Sequence, residues 1–285
     1  MCRSQRSPPD PVVRPRLPCD TGVVGGFRAL GHLLALVIAI PPMAVAAPHA
    51  SRAPSYVALG DSYSSGVGAG DYSGGSCDRS RYAFPTLWAA ANPSATFVSV
   101  ACAAATVDSV TSTQLSALNR SDSLVTLTVG GNDVGFEHVL TTCVLKGAGA
   151  CTSAIDSGET QATGSLLPAL TTLYRAITAQ APDARVVALG YPDFYDLSSN
   201  RTCLGLSSSS RAKIDEGVGV LDGVIADAAR AAHIDFIDPR PAFSGHEICD
   251  SNSWLHSLDV TEPSASYHPT TDGQAGYFAA LTATS

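Results

Sequence analysis

The sequence has few charged residues, and its basic residues are not clustered. Lys and Arg number 17 against 25 Asp and Glu, and charged residues make up only 15% of the 285 positions. Because no basic run is present that would follow a phosphate backbone, we expect no nucleic-acid partner. Hydrophobic residues make up 45% of the chain, which is ordinary for a folded protein and argues against intrinsic disorder.

A long apolar segment is also absent. The N-terminal apolar run covers residues 29–40 and comes after an Arg-rich stretch, so it is well short of the roughly 20 residues that cross a bilayer. The small-residue sequence AVA follows at residues 44–46, a pattern typical of signal-peptidase cleavage. We therefore interpret residues 1–46 as a secretory signal peptide or leader rather than as a membrane anchor.

Removal of this leader leaves an acidic mature chain. We expect cleavage near Ala46 or Ala47, and residues 47–285 are predicted to form one domain that is secreted and not stably inserted in a membrane. Five of the basic residues and two of the acidic residues lie in the leader, which leaves 12 basic and 23 acidic residues. Such a surface favours solubility and repels anionic membranes at long range.

The cysteines lack the CxxC and Cys/His spacings of zinc sites, so no metal site is expected. Six of the eight cysteines lie in the predicted mature domain, and an even number in an exported chain indicates disulfides. Spacing alone leaves the pairing open and favours only Cys143 with Cys151, with buried free thiols as the alternative. The six are Cys77, Cys102, Cys143, Cys151, Cys203 and Cys249.

Apolar, β-branched runs alternate with Ala- and Leu-rich stretches of helical spacing, which indicates a mostly parallel five-stranded sheet in a three-layer α/β/α sandwich. The Gly-, Ser- and Asn-rich segments are predicted to be surface loops near a binding face. The predicted strands are residues 56–59, 96–100, 124–129, 185–189 and 234–237, the predicted helices are 84–91, 107–118, 165–180 and 211–232, and the predicted loops are 71–79, 143–164 and 193–210.

Polar residues follow two of the predicted strands. The sequence GDSYSSG at residues 60–66 places Ser62 just after the first strand, at the sheet edge where open α/β sheets bind ligands. VGGND at residues 129–133 places Asn132 after the third, where its amide would stabilise an oxyanion. Taken singly, each motif is also explained by a turn or a helix cap, with Asn132 or Asp133 capping the helix that follows.

A histidine lies near the C-terminus in the sequence SYHPTTDGQ, residues 266–274. Pro269 fixes the backbone next to His268, and this turn would let the imidazole face Ser62. Alone, His268 would be interpreted as an exposed or capping residue. Serine, amide and histidine in this order instead favour nucleophilic catalysis, and the absence of GxSxG argues against an α/β-hydrolase.

Together these blocks resemble the SGNH hydrolases, also called GDSL-type esterases and lipases, and most closely their secreted, three-disulfide actinobacterial branch. The resemblance covers nearly the whole predicted mature chain and implies a flavodoxin-like SGNH hydrolase fold without a cofactor. A fourth block is VACAAAT at residues 100–106, where the family usually has a Ser-Gly-Ala-Thr run. Ala104 occupies the position of the family's glycine. An alanine there is unstrained if its φ is negative and strained if a positive φ is required.

The resemblance implies catalytic roles for the four blocks. Ser62 would be the nucleophile and His268 the base of a two-step acyl transfer. The oxyanion hole would consist of the N–H groups of Ser62 and Ala104 and the side chain of Asn132.

The resemblance also bears on the group that orients the histidine. Ala265 stands where the family often has an aspartate, so a Ser-His dyad is implied in which the main-chain carbonyl of Ser266 accepts the His268 Nδ1–H. Three carboxylates remain alternatives, namely Asp259, Glu262 and Asp272. For the cysteines the resemblance implies the pairs Cys77–Cys102, Cys143–Cys151 and Cys203–Cys249.

The predicted function is that of a secreted, monomeric serine esterase or lipase that hydrolyses small-molecule or lipid acyl esters. A carbohydrate O-acetyl esterase of the same fold is one alternative. A catalytically inactive binding module is another, favoured by Ala104 and Ala265, whereas no residue spacing recommends a metal-dependent hydrolase. Apolar residues near the blocks are candidates for an acyl pocket: Tyr63, Phe136, Val139, Leu140 and Trp254.

Overall fold

The structure is a computed structural model that describes residues 53–198 and 205–284. The predicted signal peptide, its cleavage site at Ala46 or Ala47, and Cys203 lie outside the described residues. No helix in the described ranges is long and apolar enough to cross a membrane.

Five parallel strands form the central sheet, in the order β4-β1-β5-β6-β7. The predicted parallel sheet is therefore confirmed, and β1 lies at the point where the strand order reverses, which is where such sheets form a ligand crevice. A small antiparallel pair, β2–β3, overlaps the predicted loop 71–79 and ends one residue beyond it. The strands are β1 Ser55–Ala58, β2 Tyr72–Ser73, β3 Arg79–Ser80, β4 Thr96–Ser99, β5 Leu124–Leu127, β6 Arg185–Leu189 and β7 Asp235–Ile237.

The helices form two packed groups, one of α2, α7 and α8 and the other of α4, α5 and α6. The predicted helix 107–118 begins as α3 and continues as a π turn, Val110–Gln114, and a 3-10 turn, Leu115–Ala117. The helices are α1 Ser62–Ser65, α2 Phe84–Ala91, α3 Val107–Ser109, α4 Phe136–Gln161, α5 Leu167–Gln180, α6 Ser208–Ala232, α7 Arg240–Phe243 and α8 Thr271–Ala283.

Burial on both faces explains why the central strands are mostly apolar. All four residues of β5 are buried, and Val125 and Val187 have no exposed surface. Helix α5 contributes a stripe at helical spacing to the core, in which Leu170, Leu173 and Ile177 are buried. The carboxyl ends of these rigid strands carry the residues described below.

The prediction of a loop over residues 143–164 was wrong. Helix α4 runs through most of this segment, and a π turn, Ala162–Leu166, joins it to α5. Gly147 interrupts the helix with φ +78°, and the Cys143–Cys151 disulfide spans this break. The weak helix propensity of the segment is overcome by packing against α6, where Ile155 becomes buried.

The C-terminal helix α8 was not predicted, because Gly273 and Gly276 lower its helix propensity. The side chain of Thr270 caps the helix by accepting a hydrogen bond from the N–H of Gly273. A side chain at position 273 would place its Cβ only 2.3 Å from the Trp254 carbonyl oxygen, so the glycine permits close packing. The helix is anchored by the buried Tyr277 and Leu281.

Candidate active site

The turn after β1 holds Ser62 at the carboxyl edge of the sheet. Gly60 has φ +117°, and a Cβ at this position would lie 2.4 Å from the Thr128 carbonyl oxygen. The N–H of Asp61 donates to that same oxygen at 2.9 Å. Only glycine fits this close exit, and Ser62 follows as the buried first residue of α1.

Asp61 fixes the turn from the other side. One carboxylate oxygen accepts from the Tyr63 N–H at 3.0 Å and from the Thr128 hydroxyl at 2.6 Å, and the other accepts from the Tyr191 hydroxyl at 2.6 Å. Burial raises the pKa of Asp61 to about 6. The residue before Ser62 is thus tied to segments that follow β5 and β6.

His268 meets Ser62 across the cleft. Its Nε2 lies 2.8 Å from the Ser62 Oγ, and its Nδ1 lies 3.1 Å from the carbonyl oxygen of Ser266. Since a carbonyl oxygen only accepts, Nδ1 carries the proton and the Nε2 lone pair faces the serine. Burial lowers the pKa of His268 to about 4, an effect that the Ser266 carbonyl partly opposes. The neutral imidazole is therefore the resting form at neutral pH.

None of the three candidate carboxylates is hydrogen-bonded to this imidazole in the described part of the chain. Asp259 instead accepts from N–H groups of its own loop, including that of Glu262 at 3.1 Å, and Asp272 lies in the first turn of α8. The hydroxyl of Ser266 accepts from the Asp259 N–H at 2.9 Å. Ser266 therefore contacts the imidazole of His268 with its carbonyl and the neighbouring loop with its hydroxyl.

The residue before the histidine has an unusual backbone conformation. Tyr267 has φ +63°, in the left-handed region that favours glycine. Its carbonyl accepts from the Tyr63 hydroxyl at 2.6 Å, and its own hydroxyl accepts from that of Tyr195 at 3.1 Å. Sequence reasoning missed these contacts and treated Tyr63 as a candidate pocket residue, because nothing local indicates a partner 204 positions away.

Three residues with N–H groups, Ser62, Ala104 and Asn132, line the cleft beside the nucleophile candidate. The Asn132 side chain donates one hydrogen bond to the Ala105 carbonyl at 2.9 Å, which orients its amide and leaves the second N–H available. The main-chain N–H groups of Ser62 and Ala104 have no hydrogen-bond acceptor among the described residues. Ser62, Ala104, Asn132 and His268 line one cleft.

Ala104 has φ +60°. Of the two conformations considered for this alanine, the structure therefore shows the strained one with positive φ. The local backbone is held on both sides. Cys102 forms a disulfide with Cys77 and donates its N–H to the Gly60 carbonyl at 3.0 Å, while Ala103 donates to the Cys77 carbonyl at 3.1 Å. These contacts maintain a conformation that is strained for a residue with a Cβ.

Two buried glutamines, which the sequence reasoning assigned no role, connect the site to the scaffold. Gln114 accepts from the Gly60 N–H at 2.7 Å and donates to the Gly60 carbonyl at 2.9 Å. Gln274 donates to the Tyr63 carbonyl at 3.1 Å and accepts from the Phe84 N–H at 2.8 Å. A glutamine amide within a helix gives no sequence signal for such long-range pairing.

The alternative that Asn132 or Asp133 caps the following helix is not the one found. Asp133 accepts from the N–H of Val107, the first residue of α3, at 3.1 Å, although the N-cap of α3 is Thr106. Burial raises the pKa of Asp133. The N-cap of α4 is Gly135, with φ +74° and no side-chain hydrogen bond. The Asn132 and Asp133 side chains thus both bond to the segment that follows Ala104.

The cleft in front of Ser62 is mainly apolar and has a volume of about 490 Å³. Of the pocket candidates, Phe136 and Leu140 line it, whereas Tyr63, Val139 and Trp254 do not. Asp78 and Glu137 also line it, without any Lys or Arg. The other apolar lining residues are Val67, Ala103, Val144, Leu145, Leu258, Val260, Pro263 and Tyr267.

The described residues contain the disulfides Cys77–Cys102 and Cys143–Cys151. The third expected pair, Cys203–Cys249, lies outside the described residues because Cys203 does. No group of three or more His, Cys, Asp or Glu side chains in the described ranges is arranged to hold a metal ion.

Comparison with known proteins places these features in a family. Residues 58–275 match the family described as GDSL-like Lipase/Acylhydrolase. A lipase of Streptomyces coelicolor, Lipase 1, is 44% identical over 257 residues, which cover 88% of this chain and 95% of that protein.

Two crystal structures have a similar fold. A phospholipase A1 from Streptomyces albidoflavus is 45% identical with a TM-score of 0.79, and an extracellular lipase from Streptomyces rimosus is 42% identical with a TM-score of 0.79. Each match covers 82% of this chain and 100% of the other.

Proposed function

This chain belongs to the GDSL-like lipase/acylhydrolase family and is a carboxylic ester hydrolase, and from that premise we propose that Ser62 and His268 form its catalytic dyad. The observation that carries the proposal is the 2.8 Å contact between Ser62 Oγ and His268 Nε2. A nucleophile within hydrogen-bond reach of an oriented base is the arrangement that nucleophilic catalysis requires.

The first half-reaction transfers the acyl group to the enzyme. His268 Nε2 takes the hydroxyl proton as Ser62 Oγ attacks the ester carbonyl carbon, which gives a tetrahedral oxyanion. The oxyanion then collapses, the bond to the alcohol oxygen breaks, and the proton on Nε2 passes to the departing alcohol. The product of this step is an ester of Ser62.

Hydrolysis of that ester restores the enzyme. His268 takes a proton from water as the water oxygen attacks the acyl carbon, and then returns the proton to Ser62 Oγ as the carboxylic acid leaves. The Ser266 carbonyl keeps the Nδ1–H in place during both steps. A neutral carbonyl stabilises the imidazolium less than a carboxylate would.

In this proposal the oxyanion hole consists of the N–H groups of Ser62 and Ala104 and the Asn132 amide. Each is fixed before substrate arrives, by the turn after Gly60, by the Cys77–Cys102 disulfide, and by the hydrogen bond to Ala105. Donors positioned in advance stabilise developing charge without reorganising.

The lining of the cleft supports acyl esters as substrates rather than acetylated carbohydrates. Phe136, Leu140 and Val144 offer an apolar wall to an acyl chain, and the apolar lining residues outnumber the polar ones that could bind a sugar, such as Asp78, Glu137 and Thr141. The absence of Lys and Arg from the lining also favours release of the carboxylate product. Lipid esters are therefore the proposed substrates.

We also propose that the protein is secreted and acts as a monomer without a nucleic-acid partner. The leader motif at residues 1–46, the two disulfides and the resemblance to an extracellular lipase support secretion, with residues 47–285 as the mature domain. The acidic composition supports the absence of a nucleic-acid partner.

The decisive experiment measures hydrolysis of a p-nitrophenyl ester series, from acetate to palmitate, by the purified protein and by Ser62→Ala. We expect Ser62→Ala to fold normally and to lose the activity. Incubation with a fluorophosphonate should add one adduct to Ser62, seen by peptide mass, in the parent but not in Ser62→Ala. Retained activity in the variant, or an adduct at another residue, would contradict the dyad.

A further inference from the structure

Three exposed apolar side chains border the open side of the catalytic cleft, and we propose that they form a surface on which the enzyme adsorbs to aggregated lipid of neutral or zwitterionic headgroup. These rim residues are Leu145, Leu258 and Val260. The proposal deepens the proposed function, because it says how a lipid ester reaches Ser62.

The exposure of the rim residues distinguishes them from the rest of the surface. Val260 is 82% exposed, Leu145 is 73% exposed and Leu258 is 46% exposed. Among the described residues only six large hydrophobic side chains are exposed, and these three all border one cleft. Apolar side chains scattered singly need no explanation, but a group at one site marks an interaction surface.

Hydrogen bonds order the loop that carries Leu258 and Val260. The carboxylate of Asp259, between Leu258 and Val260, accepts from the N–H groups of Thr261 at 2.7 Å and Glu262 at 3.1 Å. The Asp259 N–H donates to the hydroxyl of Ser266 at 2.9 Å. The loop is therefore already ordered, so adsorption costs little conformational entropy.

Leu145 is held in a comparable way on the second segment of the rim. It lies in α4 between Cys143, whose disulfide reaches Cys151, and the break at Gly147. The disulfide restrains this end of the helix while the leucine side chain stays in solvent.

The position of the rim identifies its occupant. Leu145, Leu258 and Val260 line the same cleft as Ser62 and His268, so a protein that covered them would obstruct access to the nucleophile. A lipid surface that covers them instead presents ester groups to the cleft. Burial of the rim in the lipid interface supplies the affinity, which scales with the apolar area buried.

Charge narrows the kind of lipid. The cleft is lined by Asp78 and Glu137 and by no Lys or Arg, and acidic residues exceed basic ones in the whole chain by 25 to 17. Anionic headgroups are therefore repelled, although Lys146 lies next to the rim. Phosphatidylcholine vesicles and triacylglycerol emulsions represent the favoured surfaces.

The test separates adsorption from catalysis. Adsorption is measured by co-sedimentation with phosphatidylcholine vesicles, in a Ser62→Ala background so that the lipid stays intact. The rim variant is Leu145→Ser combined with Val260→Ser. The matched control is Leu197→Ser, a leucine that is 55% exposed and does not line the cleft. Activity is measured with Ser62 present, on p-nitrophenyl butyrate below its aggregation concentration.

We expect the rim variant to lower the vesicle partition coefficient at least about 10-fold in the Ser62→Ala background, where no hydrolysis contributes to the difference. The Leu197→Ser control should leave the partition coefficient unchanged. Replacing a third of the phosphatidylcholine with phosphatidylglycerol should weaken adsorption of the parent at low salt.

Several outcomes overturn the proposal. Equal partition of the rim variant and the control does so, as does stronger adsorption to the anionic vesicles. A parent protein that is dimeric by light scattering and becomes monomeric in the rim variant would show instead that a second copy covers the rim. Absence of hydrolysis of the dissolved ester by the parent would contradict the proposed function, whatever the adsorption result.

Discussion

The hydroxyl of Tyr63 donates a 2.6 Å hydrogen bond to the main-chain carbonyl of Tyr267, so the residue after the nucleophile holds the residue before the histidine. Tyr267 has φ +63°, a conformation that persists only where surrounding contacts impose it. The relationship joins the two halves of the dyad, because a shift at Tyr267 moves His268 relative to Ser62.

Tyr63→Phe is therefore expected to lower kcat by about 10-fold with little change in KM. The variant leaves the Tyr267 carbonyl buried without its partner, and such a loss costs about 1 to 3 kcal/mol of stability. A less firmly held imidazole also becomes more hydrated, so the acid limb of the pH–kcat profile should move upward. Steady-state kinetics and chemical denaturation measure both effects.

Tyr277→Phe is the matched control for that variant. Tyr277 is equally buried, and its hydroxyl donates to the Gly190 carbonyl at 2.9 Å, outside the histidine turn. It should lose similar stability but keep kcat and the pH profile. If both variants changed kcat equally, Tyr63 would have a structural role only.

Ala104→Gly should stabilise the protein by about 1 kcal/mol. Glycine removes the strain of φ +60°, and this gain exceeds the additional conformational entropy that glycine loses on folding. Turnover should stay equal or rise, since the N–H donor is kept. Denaturant midpoints measure the change. Ala103→Gly is the control, because position 103 lacks a positive φ, and it should destabilise. Equal loss of stability in both variants would show that Ala104 is not strained.

Asn132→Ala should lower kcat by about 100- to 1000-fold, the usual effect of removing one oxyanion donor. Asn92→Ala is the control, because the Asn92 amide also donates to a main-chain carbonyl, that of Trp88 at 2.8 Å, without lining the cleft. Near wild-type turnover in a normally folded Asn132→Ala would remove the amide from the mechanism. Kinetics on p-nitrophenyl butyrate, with circular dichroism, test this.

Much of the fold was predictable because its signals are local. The β-branched runs of the central strands and the polar residues directly after β1 and β5 need no knowledge of distant contacts, and the sheet edge brings their ends together. Ser62, Asn132 and His268 were therefore placed in one site from the order of their motifs.

Features set by distant contacts were not predictable in this way. The segment of α4 around Gly147 has the composition of a loop and is helical because of its packing. The roles of Tyr63 and Gln114 depend on partners far along the chain. The φ of Ala104 follows from its held neighbours, and the sequence allowed either sign.

The pH dependence of kcat/KM follows from the buried state of His268. Burial lowers its pKa to about 4, and the nearby His256 adds to this effect. Because the base must be neutral to accept the Ser62 proton, activity should persist at pH 5 to 6 and fall only as the pH approaches 4. In the unfolded chain the pKa of a histidine is near 6.5. Between pH 4 and pH 6.5, His268 therefore binds more protons in the unfolded chain than in the folded protein.

The same difference in pKa affects stability. The contribution of His268 to the free energy of unfolding is fully present above pH 6.5 and is lost as the pH falls towards 4. In denaturation experiments, the free energy of unfolding of His268→Gln should depend less on pH between 4 and 6.5 than that of the parent. The acid limb of kcat/KM is measured separately on the parent. An acid limb centred near 6.5 would mean that the imidazole is solvated in the working enzyme, contrary to its burial beside Ser62.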